Sequence, residues 1–193
     1  IHQIEGDSRN NLYLHILKFL KIKKPNFFLL ENVKNIISFN GGRDFEEINL
    51  ALTECGYNVK FKVLNAADFG VPQNRQRVFI YGERKDLNLN IFRFPNPTHS
   101  KSNKNGLRSW KSIGEALSEI NKDLKSPECL NNVYSKYKIN VRDFTGHRKT
   151  DPNKPSPTIL ARGNGGGGVC AIPHPNNLRR LSVRESAYMQ TFP

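Results

Sequence analysis

Four consecutive apolar residues, Phe27-Phe28-Leu29-Leu30, run directly into Glu31, Asn32 and Val33. An uninterrupted apolar run that follows the turn formers Pro25-Asn26 predicts a central strand of a parallel sheet covered on both faces, where polar alternation is not needed. Ligands of such sheets gather beyond the carboxyl ends of the strands, which is where Glu31 and Asn32 fall. Two readings of Glu31 follow: a cap or ion pair holding a neighbouring loop, or the polar group of a site. Two further stretches bear on the choice, Gly70-Val71-Pro72-Gln73-Asn74-Arg75-Gln76-Arg77 and Arg180-Leu181-Ser182-Val183-Arg184-Glu185.

Around that strand the apolar periodicity alternates between two templates. Asp7-Ser8 followed by Leu12, Ile16, Leu17, Phe19 and Leu20 predicts a capped helix with one apolar face, closing in Lys18, Lys21, Lys23 and Lys24, which suit the negative end of the helix dipole. Asn40-Gly41-Gly42 predicts a turn, and Phe45, Ile48, Leu52 and Cys55 recur at helical spacing up to Gly56. Tyr57, Val59, Phe61 and Val63 alternate with polar residues as a half-buried strand does, and Val78-Phe79-Ile80-Tyr81 predicts another. Helix, strand, helix, strand, strand is one half of a doubly wound α/β sheet, closed by an antiparallel pair. More strands belong in front of it, so the chain is expected to start midway through a domain; the lack of an initiating Met suggests processing, or that these residues are part of a longer polypeptide.

From residue 92 the composition changes to Pro, Ser, Lys and Asn, which predicts a linker near residues 93–106. Residues 113–124 form a short helix in this reading, residues 130–161 an irregular loop-rich module, and Ser182 with Glu185 a capping box that opens a last helix. The expected organisation is residues 1–92 in the α/β domain, 93–178 in a second small region, and 179–193 returning to the first.

The chain carries 30 Lys and Arg against 17 Asp and Glu, a net charge of +13. From residue 98 onward there are 16 basic and 7 acidic residues, so the excess is concentrated in the second half, as for a polyanion partner with nucleic acid foremost. A merely basic soluble surface is the plainer alternative. Cys55, Cys129 and Cys170 are odd in number and distant in sequence, which argues against a disulfide framework or a zinc knuckle. No run approaches the roughly 20 apolar residues of a membrane span, and the expectation is a soluble intracellular protein without a membrane partner.

Gly163-Asn164-Gly165-Gly166-Gly167-Gly168 matches the spelling of a dinucleotide-binding fingerprint, but Val169-Cys170-Ala171-Ile172-Pro173 after it is no helix, and the fingerprint is rejected. Gln73, Arg75 and Arg77 alternate where a strand begins, so their side chains are expected on one face as a donor array for carbonyl or phosphate oxygens. Pairing of the arginines with Asp68 or Glu31 is the structural alternative, and is compatible with a site.

With these stretches together the chain resembles the C5-cytosine DNA methyltransferases. Phe28-Leu29-Leu30-Glu31-Asn32-Val33 resembles the glutamate-asparagine-valine motif of that family. Pro72 through Arg77 resembles its glutamine-x-arginine-x-arginine motif, and residues 180–193 its arginine-leucine-threonine-x-arginine-glutamate motif ending in phenylalanine-proline, with Ser182 in place of threonine. Asp7-Ser8-Arg9 followed by Leu12 resembles the segment after the catalytic loop. The resemblance implies the second half of a Rossmann-like S-adenosylmethionine-dependent methyltransferase sheet with a small irregular target-recognition domain, variable over about residues 94–154.

It also implies a proline-cysteine nucleophile and a glycine-rich cofactor motif ahead of Asp7, and none of the three cysteines has those neighbours. The chain therefore reads as one segment of an enzyme: a natural half of a split enzyme, or part of a longer chain, with a complementary chain or segment supplying the rest. The implied function is bacterial and cytoplasmic: methylation of a cytosine swung out of duplex DNA, S-adenosyl-L-methionine being the methyl donor, in a restriction-modification system. By resemblance Glu31 holds N3 and the exocyclic amine, Arg77 the cytosine O2, Arg75 a flanking phosphate or the catalytic loop, and Gln73 orders that loop. Arg142, His147, Arg148, Lys149 and Arg162 are the candidate DNA contacts. The alternatives are a non-catalytic DNA-binding or specificity subunit, and an RNA-methylating relative.

Overall fold

The computed structural model describes residues 12–103, 106–123, 150–160, 172–176 and 179–192. The chain divides into two compact units, Ile1–Leu64 with Gln76–Pro95, and Asn65–Arg75 with Asn96–Pro193. The cap expected at Asp7-Ser8, the glycine run 163–168, Cys129 and Cys170 lie outside the described residues.

In the first unit α1 (Leu12–Lys23) leads into β1 (Phe27–Val33), α2 (Arg43–Glu54), β2 (Tyr57–Asn65) and β3 (Gln76–Arg84). Local chemistry sets these bounds. Asn40, Gly41 and Gly42 all take the left-handed backbone region that brings the chain round into α2, and Asp44 and Glu46 lie in its positively polarised first turn. Gly56, at φ +93°, ends α2 and opens β2, as a residue without a Cβ can.

The three strands are ordered β1-β3-β2, and β1 pairs antiparallel with β3 in the register Phe28↔Gly82, Leu30↔Ile80, Val33↔Arg77. The apolar run predicts a central strand among parallel neighbours. Among the described residues it is instead an edge strand whose one neighbour is antiparallel, because β3 returns through the middle of the sheet. Leu20 of α1, Phe45 and Leu52 of α2, and Phe28, Tyr57, Val78 and Ile80 of the sheet form one buried core, with Ile16, Leu17 and Cys55 packed against it. Cys55 faces the core as its spacing predicts. Leu12 and Phe19 do not: they lie seven residues apart on the other side of α1, and both are exposed.

One close approach organises this core. A Cβ at Gly82 would come within 2.3 Å of the Phe28 ring across the β1–β3 ladder, and that ring meets Tyr57 edge-on at 5.1 Å. The Tyr57 hydroxyl in turn donates to the Pro25 carbonyl at 2.8 Å, tying the entry of β1 to the core.

In the second unit the loop after β2 is held from within. Asn65 accepts from the Ala67 N–H, the Asp68 carbonyl accepts from the Thr98 N–H at 2.9 Å, and the Asp68 carboxylate accepts from the Trp110 indole at 2.8 Å. The stretch read as a linker therefore carries a short parallel ladder, β4 (His99–Ser100) with β5 (Arg108–Ser109). Then come α3 (Ile113–Asp123) and α4 (Val183–Tyr188). Ile113, Ala116, Leu117 and Ile120 of α3 pack with Leu181 and Met189 around α4. Ser112 and Glu115 exchange hydrogen bonds at the start of α3, the reciprocal cap that Ser182 and Glu185 make at α4.

Gly82→Ala should lower stability by about 1–3 kcal/mol, because the added methyl needs space held by a buried ring; the urea midpoint of the purified chain measures it. A Gly82→Ala protein as stable as the parent would show that Phe28 can move aside freely.

Candidate functional site

Glu31 and Arg77 meet because of the antiparallel register. Glu31 stands opposite Phe79 and Arg77 opposite Val33, so the two are diagonal neighbours on the same face of the β1–β3 ribbon. Arg77 Nε lies 2.9 Å from Glu31 Oε1, and its Nη1 donates to the Gln76 carbonyl at 2.8 Å. The guanidinium is thus held by its own strand while it orients the acid. Its side chain is 17% exposed and that of Glu31 46%. The acid is the more exposed of the two, and its partner is mostly withdrawn.

Chemically the pair is an acceptor with a fixed direction beside a planar donor of permanent charge. It suits a planar ligand with a donor edge for the carboxylate and a carbonyl oxygen for the guanidinium. Of the two acids named for the arginines in the sequence, Glu31 takes Arg77, and the Asp68 carboxylate is engaged by Trp110.

Gln73 and Arg75 belong to the second unit. The alternation that predicts a shared face with Arg77 does not reach them, since β3 begins at Gln76. Gln73 bridges to Ser156 in a small backbone exchange: Asn74 N–H donates to Ser156 O at 2.8 Å, and Ser156 N–H to Pro72 O at 2.9 Å. The Gln73 side chain is 1% exposed, and both its amide oxygen and its amide nitrogen are without a hydrogen-bond partner among the described residues. Arg75 accepts at its carbonyl from the Ala66 N–H, closing the loop 66–75. Arg142, His147, Arg148, Lys149 and Arg162 lie outside the described residues.

A group that the motifs alone do not disclose surrounds α4. Glu185 is buried, accepts from Ser182 N–H at 2.8 Å, and takes both terminal nitrogens of Arg179 at 2.7 and 2.8 Å. His174 Nε2 stands 4.0 Å from it. Burial alone would raise the Glu185 carboxyl, but Arg179 and the Ser182 amide overcome that and hold it below its ordinary value. His174 is lowered by its burial and by Arg179, against the pull of Glu185. The Ser182-x-x-Glu185 spacing signals the cap; Arg179 six residues before Glu185 carries no helical signal, because it precedes the helix.

Residues 2–193 match the family described as C-5 cytosine-specific DNA methylase. The type II methyltransferase M.NgoFVII of Neisseria gonorrhoeae is 35% identical over 211 residues, covering 98% of this chain and 55% of that protein. M.BsuRI of Bacillus subtilis is 35% identical over 201 residues, covering 97% of this chain and 44% of the relative. The S. pombe Dnmt2 methyltransferase structure superposes with a TM-score of 0.58 at 18% identity, over 99% of this chain and 61% of its own, a likeness of fold. The chain belongs to the C-5 cytosine-specific DNA methylase family, has the α/β Rossmann-like fold of its structural neighbours, and spans about half the length of the curated relatives it matches.

Because Glu185 titrates low in the folded chain, its contribution to stability is complete above the ordinary glutamate value of 4.5 and is lost as pH falls through the lower folded value. Glu185→Ala should cost about 3–5 kcal/mol at pH 7, since it strands the Arg179 charge, and the gap to the parent should shrink as the pH falls below 4.5. Urea midpoints measured across pH 3–7 test both parts, and a gap that does not vary with pH would contradict the assignment.

Proposed function

We propose that the chain is the base-recognition part of a DNA (cytosine-5) methyltransferase, acting on a cytosine flipped out of duplex DNA in a bacterial restriction-modification system. The observation that carries this reading is the Glu31–Arg77 pair at 2.9 Å, within a chain that belongs to the C-5 cytosine-specific methylase family. A cytosine presents N3 and an exocyclic amine on one edge with O2 beside them, and its ring atoms are out of reach inside the stack. Glu31 receives the exocyclic amine and, protonated or strongly hydrogen-bonded at N3, eases the charge that builds on the ring when C6 is attacked. Arg77 takes O2.

Arg75 serves a flanking phosphate or the catalytic loop. Gln73, whose buried amide lacks partners on both sides among the described residues, orders that loop. Arg142, His147, Arg148, Lys149 and Arg162 engage DNA, mostly at phosphates. The organisation that fits this reading is residues 1–92 in the catalytic α/β domain, 93–178 for target recognition and 179–193 returning to the first domain.

S-adenosylmethionine supplies the methyl group. The residues of this chain bind and orient the base, and none of them is assigned to hold the cofactor. The nucleophile and the cofactor motifs belong to a complementary chain or segment, in agreement with relatives about twice as long. Among the described residues no helix is long and apolar enough to cross a membrane, and the bacterial cytoplasm, where the DNA is, is the proposed location. A binding-only specificity subunit would have no use for an acid held in a fixed direction by a withdrawn arginine.

In a reconstituted complex, Glu31→Gln should slow single-turnover methylation by on the order of 10²–10⁴ while leaving DNA affinity near the parental value. Parental rates in Glu31→Gln, or equal loss of rate and affinity with loss of folding, would remove Glu31 from the chemistry. The chain alone should transfer no labelled methyl group.

DNA affinity should fall steeply with salt, since phosphate contacts release counterions. Lys149→Ala should weaken all sequences alike and flatten that slope; a flat salt response in the parent would contradict the basic half as a DNA-binding surface.

A further inference from the structure

Trp110 is the single tryptophan of the chain, and both of its nitrogen donors are engaged. Its backbone N–H donates to the Ser100 carbonyl at 3.1 Å, one rung of the β4–β5 pairing, and its indole N–H donates to the Asp68 carboxylate at 2.8 Å. Asp68 lies in the one-turn helix Ala66–Phe69 that follows β2, and its carbonyl accepts from the Thr98 N–H just ahead of β4. One residue of the loop is therefore gripped at main chain and side chain from the β4–β5 region. A close approach lies beside it: Gly70 takes φ +85°, and a Cβ there would come within 2.8 Å of the His99 ring. An N–H on a carboxylate is a charge-assisted bond with a direction, and a rigid indole tied at its own backbone holds that direction as a lysine on a flexible stem would not.

The loop 66–75 is closed by the Ala66 N–H on the Arg75 carbonyl, so what fixes Asp68 also fixes the end from which Arg75 leaves. Arg77 follows two residues later in β3, within about 7 Å of chain, and lies 2.9 Å from Glu31. Trp110 for its part stands two residues before Ser112, the buried cap of α3, in the stretch proposed for target recognition.

We infer that Trp110 is a positioning residue for the base-binding arginines: through Asp68 it sets the loop 66–75, and with it the placement of Arg75 and Arg77 on the flipped cytosine and its flanking phosphate. The indole is assigned no contact with base or methyl donor and acts through the loop. The inference rests on the proposed function for what the arginines do, and on the hydrogen bonds alone for the clamp. A misplacement of about 1 Å is enough to cost roughly 10²-fold in rate. The clamp therefore acts on the chemical step, while affinity for duplex DNA, spread over many phosphate contacts, is largely unaffected by it.

Trp110→Phe keeps an aromatic ring and removes the N–H, Asp68→Ala removes the acceptor, and Asp68→Asn retains an acceptor oxygen. In the full chain, amide hydrogen exchange at Ala66 and Val71, whose N–H groups bond within the loop, should quicken about tenfold in Trp110→Phe and Asp68→Ala, the effect of one lost bond to a charged group. Exchange at Met189, beyond α4, should stay as in the parent. In the reconstituted complex the same two variants should lose roughly 10²-fold in single-turnover methylation at saturating DNA, with DNA affinity near the parental value, and Asp68→Asn should recover most of the rate. The double variant of Trp110→Phe with Asp68→Ala should be no slower than either alone, since all three lack the same bond.

Unchanged exchange in Trp110→Phe, a double variant whose losses multiply, or parental single-turnover rates beside a loosened loop would each overturn the inference. So would a loss of rate matched by loss of DNA affinity, or one that Asp68→Asn does not recover, the marks of a merely structural tryptophan. A parent complex that transfers no methyl group would remove the enzymatic reading and the inference with it; a working parent complex matched by Trp110→Phe would remove the inference alone.

Discussion

The antiparallel ladder between β1 and β3 is the constraint on which the first unit depends. Side chains alternate faces along a strand, so a slip of one residue would move every contact to the wrong side. In the observed register Phe28 lies over the one position without a Cβ, Leu30 meets Ile80 in the core, and Glu31 falls diagonally across from Arg77. Packing and polar geometry are therefore chosen together. The core fixes the register, and the register delivers an arginine to the acid.

The second unit is built on buried polar groups that are satisfied within their own neighbourhood. Glu185 collects an amide, a guanidinium and an adjacent imidazole, and Asp68 joins the loop after β2 to Thr98 and Trp110. Gln73 is the contrast, a buried amide with neither end engaged among the described residues. Burying such a group without partners costs about 1–3 kcal/mol, which makes it the place where an additional polar group would be most welcome.

Much of this was legible in residue order. The run at Phe27, the helical spacing up to Cys55, the alternation after Tyr57 and the Ser182–Glu185 cap are local signals, and each element formed within a few residues of its expected bounds. What periodicity does not carry is who lies beside whom. It put Leu12 and Phe19 on the buried face of α1, and it made β1 central where, among the described residues, only β3 lies beside it, because an apolar residue reads alike whether its neighbour is present or not. The Glu31–Arg77 contact was open in the sequence as one of two pairings, and Arg179 was invisible because its partner lies across a cap. The residues proposed for DNA fall outside the described part of the chain.

Phe28 and Gly82 share one volume, and that limits how this sequence can drift. A side chain at 82 is tolerable only if the ring at 28 has first become smaller, and a smaller group at 28 leaves a void against Tyr57 until something fills it. Neither single step is neutral, while the exchanged pair could pack as well as the original. The two positions, fifty-four residues apart in the chain and opposite one another in the ladder, behave as a single inherited character.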